Sequence, residues 1–487
     1  MTLTKKQFLK NSLWTFLELS LYPILLVIAS PIFIAKLGIE QYGLWMLVMT
    51  VTQLVNLLNI GVGDANIRLI SHYRAQNEPA LIKKVFRYNF SLSILLFIGS
   101  ALVGYIFSAF NFISFFYKSD NYEFANSILL LASLSWGAKF IEASILAVIK
   151  AFERFDINSK LILFSKNSVV LCNLLMVLFG QSLIHTLMLS LFLIIINVCI
   201  QLIVLHIFDK NIVSWPQFIF VRNKEKVVNY NFWYWMQSSI ALIGFLTDKL
   251  AVAWLTDVKT LGYYYIASMI GTNIHNVFLT FGGFIFPRVS FKLSNRSSLE
   301  PLYFVSRSLI ALPGWLLIIC LMLFGDPIFN LWLGNETYLN SIFYIKLYLV
   351  FEAGMLLIIT PFHFINGSDK LKLNSVFEIV IRLSHFLAMM LGYRLAVVNG
   401  IVYGLISSTL INVPFQYYLF NKRIIGNQSN FQFIMVVLPI LLLLALILAT
   451  NIFIKMAIVL AFVFACKFIY FDKGKAFAGN FFSDGRT

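Results

Sequence analysis

The chain alternates between long apolar stretches and short polar connections. Each apolar stretch is about 20 residues long, the length that an α-helix needs to cross the roughly 30 Å hydrocarbon core of a bilayer. About fourteen such stretches occur, and this pattern predicts an all-α polytopic membrane protein. The predicted spans are residues 13–35, 42–63, 86–108, 124–149, 161–180, 184–208, 232–255, 262–287, 304–325, 341–365, 375–393, 397–420, 432–450 and 452–470.

Positive charge marks every second connection between these spans. Lys and Arg precede the first span and recur in the even-numbered loops and in the C-terminal tail. Short loops rich in Lys and Arg remain in the cytoplasm, so both termini are predicted to be cytoplasmic and the number of spans to be even. The basic residues expected on the opposite side are few: Lys36, Lys118, Lys259, Arg394 and Lys455.

The composition supports a membrane protein and excludes other classes. Of the 487 residues, 60% are hydrophobic and 12% are charged, and the mean hydropathy is +0.84. Soluble domains average about 25% charged residues. The net charge of +16 is spread over loops, where it meets anionic lipid headgroups rather than nucleic acid. The cysteines show no paired spacing, so no disulfide framework, metal site or other cofactor is expected; they are Cys172, Cys199, Cys320 and Cys466.

A short motif repeats at a spacing of about 219 residues. Residues 37–45 (LGIEQYGLW) join the first two spans, and residues 256–264 (TDVKTLGYY) join the seventh and eighth. One such match arises readily by chance, but the basic sixth loop falls at the expected join. Two six-helix bundles are therefore predicted, related by a pseudo-twofold axis along the membrane normal, with a substrate site between them near the midplane.

The repeat sets the predicted domain boundaries. Residues 1–208 are the N-terminal bundle, 209–231 a basic cytoplasmic linker, and 232–420 the C-terminal bundle. Residues 421–487 supply two additional helices and a cytoplasmic tail. The eleventh and twelfth spans are joined so closely that they could be one, but merging them would break the charge alternation. Both are kept.

Residues 37–74 carry a recognisable pattern, LGIEQYGLWMLVMTVTQLVNLLNIGVGDANIRLISHYR. It resembles the N-terminal signature of the polysaccharide-exporter and O-antigen flippase family, within the multidrug/oligosaccharidyl-lipid/polysaccharide flippase superfamily. The matching features are the LG-x-E-x-YG turn, the apolar helix, the IGVGDA exit and a basic segment. In the second half, Asp248 with Lys249 and the stretch LGYYYIAS are similar to the family's other recurring region. The resemblance covers about residues 1–420.

The resemblance implies a V-shaped pair of bundles that alternates between inward-open and outward-open states. Such proteins carry an undecaprenyl-pyrophosphate-linked oligosaccharide, for example an O-antigen repeat unit, from the cytoplasmic to the outer leaflet of a bacterial inner membrane. A glycan polymerase is a further expected partner. Because each buried charge or unsatisfied hydroxyl is costly in hydrocarbon, a wet and partly cationic cavity is expected.

Charged side chains within the spans are the candidates for transport, because they are rare there and usually face a cavity or a partner. Lys139 and Glu142 share one face of the fourth span. Either they neutralise each other, or Lys139 binds phosphate with Glu142 as its counter-charge or proton site. Asp248 and Lys249 in the seventh span point about 100° apart, so each is expected to need another partner, one facing the cavity and the other pairing inside its own bundle. Lys249 is a candidate pyrophosphate contact, and Asp248 is a candidate for ion coupling or counter-charge. Lys166 is expected to snorkel to the cytoplasmic surface.

Glu378, Arg382 and His385 form one polar stripe along the eleventh span. The order of Glu378 before Arg382 favours an intrahelical ion pair, and Arg382 is also a candidate phosphate contact. His385 is a candidate for proton coupling, because an imidazole changes charge near neutral pH. Glu352 in the tenth span is expected to bind a coupling cation or to pair with Arg382 or Lys249 across helices.

These features predict a flippase for a lipid-linked oligosaccharide that works by alternating access. Proton or sodium antiport would need a cavity carboxylate, for which Asp248, Glu142 and Glu352 are candidates, and passive flipping is the other alternative. A cation-coupled drug or metabolite antiporter of the same superfamily is the closest rival, followed by a scaffold for glycan assembly. A membrane enzyme is disfavoured, because the longest outer loops contain no His or Arg, and no catalytic residue is predicted. The chain has no GxxxxGK[ST] pattern for ATP binding.

Overall fold

A computed structural model of the protein describes residues 5–58, 64–117, 122–208, 210, 225–294, 298–368, 371–420, 432–449 and 451–466. Apart from turns and short 3-10 segments, these residues are α-helical, and none of them lies in a strand. The helices are α1 (Lys5–Leu37), α2 (Ile39–Gln53), α3 (Asp64–Ala75), α4 (Pro79–Ala109), α5 (Tyr122–Ala151), α6 (Phe155–Leu178), α7 (Leu183–Phe208), α8 (Glu225–Leu255), α9 (Val258–Phe281), α10 (Ile285–Ser294), α11 (Glu300–Leu333), α12 (Asn335–Gly367), α13 (Leu371–Phe420), α14 (Gln432–Leu448) and α15 (Ile452–Cys466).

The helices follow the predicted spans. Among the described residues, nine helices are long and apolar enough to cross a membrane: α1, α4, α5, α6, α7, α8, α11, α12 and α13. The eleventh and twelfth predicted spans both lie within α13, and the shorter α14 and α15 match the last two. The all-α polytopic fold is thereby confirmed. Residues 59–63, which end the second predicted span, and 467–487 lie outside the described ranges.

Two helices end in a tighter 3-10 segment that leads to a short helix. α2 passes into the 3-10 segment Leu54–Leu58 before α3, and α9 passes into Gly282–Phe284 before α10. Glycine is a weak helix former, so the tandem glycines Gly282 and Gly283 account for the second break. The same order of elements thus occurs in both halves of the chain, and the flanking helices begin at matching positions, 219 residues apart for α2 and α9 and 221 residues apart for α3 and α10.

At each break a side chain from another helix binds a backbone carbonyl. Trp235 Nε1 donates to the Leu57 carbonyl oxygen at 3.1 Å, and His363 Nε2 donates to the Leu279 carbonyl oxygen at 3.0 Å. The change from α-helical to 3-10 geometry leaves carbonyls without their usual partner. A ring N–H therefore satisfies one carbonyl in each half.

The chain divides into two compact units. Unit 1 comprises Met1–Leu246 with Asp257–Gly262, and unit 2 comprises Thr247–Thr256 with Tyr263–Thr487. The domain boundaries drawn from the sequence stay predictions.

In unit 1, small residues bring α4 and α5 close together. A Cβ added to Gly137 would lie 2.0 Å from Ser100 Oγ, and one added to Gly104 would lie 2.5 Å from Ser133 Cβ. Helices in membranes associate through such small residues, because lipid supplies no hydrophobic drive between them. This packing holds α5 in the interior of the unit.

The glycines of the repeated motif also meet backbone in unit 1. A Cβ added to Gly43 would lie 1.9 Å from the Val258 carbonyl oxygen, and one added to Gly262 would lie 2.8 Å from the Ile39 carbonyl oxygen. Before α2, Gly38 has a φ of 82°, which a residue with a side chain rarely adopts. The motif therefore specifies a turn followed by a close backbone approach.

In unit 2, α13 reverses direction midway. Ala396 (φ −143°, ψ 28°) and Val397 (φ 51°, ψ −129°) leave helical geometry. A Cβ added to Gly392 would lie 1.9 Å from the Gly400 carbonyl oxygen, and one added to Gly400 would lie 1.8 Å from the Gly392 carbonyl oxygen. These reciprocal contacts pack the two halves of α13 against each other as a hairpin, with a reversal of only two residues.

The last two helices pack onto unit 2 through α11 and α12. Trp315 Nε1 donates to the Ala353 carbonyl oxygen at 2.9 Å, and its ring meets the Phe462 ring edge-on at 5.5 Å. A Cβ added to Gly354 would lie 3.2 Å from Ile440 Cδ1. Residues of α14 and α15 therefore complete the core of unit 2.

Candidate functional site

Lys139 is an exposed cation on a helix that is otherwise packed. Between residues 128 and 150 of α5, every other side chain is buried or half-buried. An ammonium group in the middle of a span is costly in lipid and faces water or protein instead. The exposed surface at Lys139 is therefore a water-accessible one.

Lys139 and Glu142 use different partners. Lys139 Nζ stands 4.0 Å from the centroid of the Trp136 ring, a cation–π contact. The half-buried Glu142 accepts a hydrogen bond of 2.6 Å at Oε1 from Nε2 of the buried Gln201. Glu142 is thus a nearby counter-charge for Lys139, and no carboxylate among the described residues forms a salt bridge with the ammonium group.

Lys166 is a second exposed cation in unit 1. Its Nζ stands 5.4 Å from the centroid of the Tyr22 ring, and its charge acts on that of Lys139. At 1.5 Å per residue, Lys139 and Lys166 both lie about 17 Å along their helices from the loop joining α5 and α6. The Lys166 side chain thus lies beside an aromatic ring, and its snorkelling to the cytoplasmic surface stays a prediction.

Asp248 and Lys249 are buried in unit 2 and pair with each other. Lys249 Nζ lies 3.2 Å from Asp248 Oδ1 and 3.5 Å from Oδ2. Asp248 Oδ2 also accepts hydrogen bonds from Tyr264 at 2.8 Å and from Tyr348 at 3.3 Å. The expectation that adjacent residues could not satisfy each other was wrong, because the flexible four-carbon stem of lysine spans the angle between them.

Glu352 is buried and contacts His275. His275 Nδ1 lies 2.6 Å from Glu352 Oε1, and the two side chains are 25% and 3% exposed. The expected pairing of Glu352 with Arg382 or Lys249 was wrong, because α9 approaches α12 closely enough for His275 to take that position. The signal was available in the sequence, since His275 is a polar residue inside the predicted eighth span.

The stripe on α13 contains the predicted ion pair. Arg382 Nη2 lies 3.2 Å from Glu378 Oε2, one helical turn away, which confirms the intrahelical pairing. His385 is buried with its ring 5.9 Å from that of Phe351. Among the described residues its Nε2 has no hydrogen-bond partner.

The candidate residues of unit 2 form one buried polar cluster around Tyr348. Asp248, Glu352 and Arg382 all act electrostatically on the Tyr348 hydroxyl, and Arg382 also acts on Lys249. The candidate residues of unit 1, Lys139 and Glu142, are not part of this cluster. Within the described parts of the chain, no three His, Cys, Asp or Glu side chains are grouped as metal ligands would be.

A comparison with protein families places the chain by sequence. The family described as polysaccharide biosynthesis protein matches residues 8–292, more than half of the chain. A comparison with curated proteins gives no match.

Comparison with solved structures shows the fold. The lipid II flippase MurJ in an inward closed conformation has a TM-score of 0.68 at 14% identity, covering 97% of this chain and 99% of that chain. An inward-facing multidrug resistance MATE family transporter of the MOP superfamily has a TM-score of 0.66 at 12% identity, covering 82% of this chain and 95% of its own. The outward-facing MATE conformation gives 0.57 at 12% identity, covering 84% and 96%. The protein therefore has the multi-pass membrane fold of MOP superfamily transporters.

Proposed function

The chain belongs to the polysaccharide biosynthesis protein family, and we propose on that basis that it flips a polyprenyl-pyrophosphate-linked oligosaccharide across the bacterial inner membrane. The substrate moves from the cytoplasmic to the outer leaflet by alternating access, with both termini in the cytoplasm. An O-antigen or similar repeat unit, held on undecaprenyl pyrophosphate, is the substrate, and a glycan polymerase uses the product.

The observation that carries this proposal is the exposed lysine in the middle of α5. A pyrophosphate group cannot cross roughly 30 Å of hydrocarbon unaided. Lys139, with Lys166 at the same depth, offers positive charge where that cost is greatest, and within the described part of the chain no carboxylate contacts either ammonium group directly. The Trp136 and Tyr22 rings hold the two amines by cation–π contact, while the prenyl tail stays in lipid.

Two cations of unit 2 take part in a later step. Lys249 and Arg382 are held by Asp248 and Glu378 in this conformation. They are proposed as pyrophosphate contacts that exchange carboxylate for substrate when the protein changes state. Asp248, Glu142, Glu352, Glu378 and His385 supply counter-charge or bind the coupling ion.

The proposal is tested by measuring which leaflet holds the lipid-linked oligosaccharide. Cells depleted of the protein are complemented with wild type, Lys139→Ala, Lys249→Ala or the control Lys160→Ala. Lys160 is a suitable control because it also lies over an aromatic ring, that of Trp14, at 4.7 Å, but nearer the end of α6. We expect the glycolipid to accumulate on the cytoplasmic side, and wild type and Lys160→Ala to relieve the accumulation.

Two results would overturn the proposal. Normal translocation after depletion, in cells without a redundant transporter, would favour a drug or metabolite antiporter or a scaffold for glycan assembly. Full activity of Lys139→Ala would remove the cationic site from the mechanism, even if the protein is a flippase.

A further inference from the structure

The contact between His275 and Glu352 joins a buried carboxylate to a partly exposed imidazole. The Glu352 side chain is 3% exposed and that of His275 is 25% exposed, with 2.6 Å between Oε1 and Nδ1. The imidazole is therefore the more exposed of the two groups and lies between the carboxylate and the surface of the unit. A histidine in this position can take a proton from water at one ring nitrogen and release another from the second.

The groups around His275 and Glu352 favour the binding of a proton over the binding of a metal cation. Asp248 accepts hydrogen bonds from Lys249 and two tyrosines, and Glu378 faces Arg382. Cations such as sodium are bound by several oxygens with free lone pairs, whereas these carboxylates already face N–H and O–H donors. The charged and titratable groups around the pair are Tyr348 on α12, Asp248 and Lys249 on α8, Tyr264 on α9, and Arg382, Glu378 and His385 on α13.

We infer that His275 and Glu352 form a proton-transfer pair that couples a proton gradient to translocation. The proton-transfer pair follows from the geometry, whereas its coupling to translocation rests on the proposed function. Water protonates Nε2 of His275, the Nδ1 proton moves to Oε1 of Glu352, and the imidazole is neutral again. The net change is one proton bound, with the carboxylate converted to a carboxylic acid, and release reverses the same steps.

The helix contacts give this protonation a route to the rest of unit 2. Gly271 and His275 are one turn apart on α9, and they face Tyr348 and Glu352, one turn apart on α12. A Cβ added to Gly271 would lie 2.5 Å from Tyr348 Cδ1, so the two helices are in close contact. Loss of charge at Glu352 changes the field on Tyr348, whose hydroxyl binds Asp248 at 3.3 Å. Protonation of Glu352 thereby alters the contacts between α8, α9 and α12.

Infrared difference spectroscopy tests proton binding without any substrate. The full-length protein in liposomes is moved from neutral to acidic pH, and the carboxylic-acid carbonyl band is recorded. We expect Glu352→Gln to lose one component of this band and Asp326→Asn to keep it. Asp326 is a matched control, since it pairs with Lys346 at 2.8 Å in the same unit. An unchanged spectrum for Glu352→Gln would overturn the inference.

The rate of band formation after a pH jump tests the histidine. His275→Gln keeps a hydrogen-bond donor beside Glu352 but does not titrate, so we expect slower protonation of the carboxylate. His363→Gln is the control, because it keeps a donor for the Leu279 carbonyl at the break in α9. Equal rates in wild type and His275→Gln would overturn the role of the imidazole.

Ionophores in cells separate this inference from the proposed function. We expect a protonophore to stop glycolipid translocation by wild type, a sodium ionophore to leave it unchanged, and Glu352→Gln to lose the response to the proton gradient. Inhibition by the sodium ionophore alone would overturn the inference and leave the flippase standing. If wild type never relieves the accumulation, the proposed function fails while the infrared result still decides whether the pair binds a proton.

Discussion

The two units repeat one scaffold but place their charges differently. In unit 1 the cations Lys139 and Lys166 are exposed, and the helices around them pack through small residues. In unit 2 the cations Lys249 and Arg382 each contact a carboxylate inside the helix bundle. Both units break one helix into a 3-10 segment and bind a freed carbonyl with a ring N–H. The shared features thus serve the fold, whereas the cations inside the spans differ, since they are exposed in unit 1 and ion-paired in unit 2.

The largest effect on stability is expected from the buried ion pair of unit 2. In Asp248→Ala, Lys249 loses its carboxylate within a membrane span, which we expect to cost about 2.5 to 3.5 kcal/mol of unfolding free energy. Thermal unfolding in detergent measures the change. Asp248→Ala combined with Lys249→Leu should recover most of the loss, because the charge is then absent. A double variant as unstable as the single one would show that the loss has another cause.

A smaller loss is expected from the close packing of unit 1. The Cβ of Gly137→Ala would clash with Ser100 Oγ, and such overpacking typically costs about 1 to 3 kcal/mol. Adding Ser100→Gly should restore part of the stability. Gly99→Ala is the control, because its Cβ would meet only Leu58 Cδ1 at 3.9 Å. Equal unfolding temperatures for Gly137→Ala and Gly99→Ala would contradict the packing described.

The 3-10 segments that follow α2 and α9 should lose similar stability when the ring N–H that binds a nearby carbonyl is removed. Trp235→Phe and His363→Phe each keep a ring and remove the N–H donor. Each should cost about 0.6 kcal/mol and no more than about 1.7 kcal/mol, the average and the maximum for hydrogen bonds between membrane helices. The measurement is chemical unfolding in detergent. A large loss in one variant and none in the other would show that the two breaks are not equivalent.

The smallest effect on stability is expected at Lys139, the lysine proposed to bind the pyrophosphate. Because Lys139 is exposed, Lys139→Ala should change the unfolding free energy by no more than about 0.5 kcal/mol, while translocation is lost. Lys139→Arg should retain part of the transport, since it keeps the charge. A large destabilisation in Lys139→Ala would assign this lysine a role in the fold instead.

The sequence was a good guide to the helices because span length and charge alternation follow directly from the bilayer. It could not show that α2 ends at Gln53 and is followed by a 3-10 segment, since hydrophobicity does not distinguish an α-helix from a 3-10 helix. The tight link between the eleventh and twelfth spans was correctly kept, and the reversal at Val397 now explains how so few residues suffice.

The candidate site was only partly accessible to sequence reasoning. The cost of charge in a membrane singles out Lys139, Asp248, Glu352 and Arg382 from sequence alone. Their partners depend on side-chain direction and on which helices touch, which a single sequence does not contain. The pairing of Glu378 with Arg382 was predictable because it lies within one helix, whereas His275 was missed because a neutral imidazole was not counted among the charges.

The reversal within α13 also bears on how the protein is made. Only Ala396 and Val397 join the two helices of this pair. No connecting loop therefore separates the insertion of the first helix from that of the second. The glycines that face each other across the pair, Gly392 and Gly400, leave bare backbone exposed until both halves are present. We therefore expect Leu371–Phe420, with the exposed Arg394 near its tip, to enter the bilayer as one insertion unit.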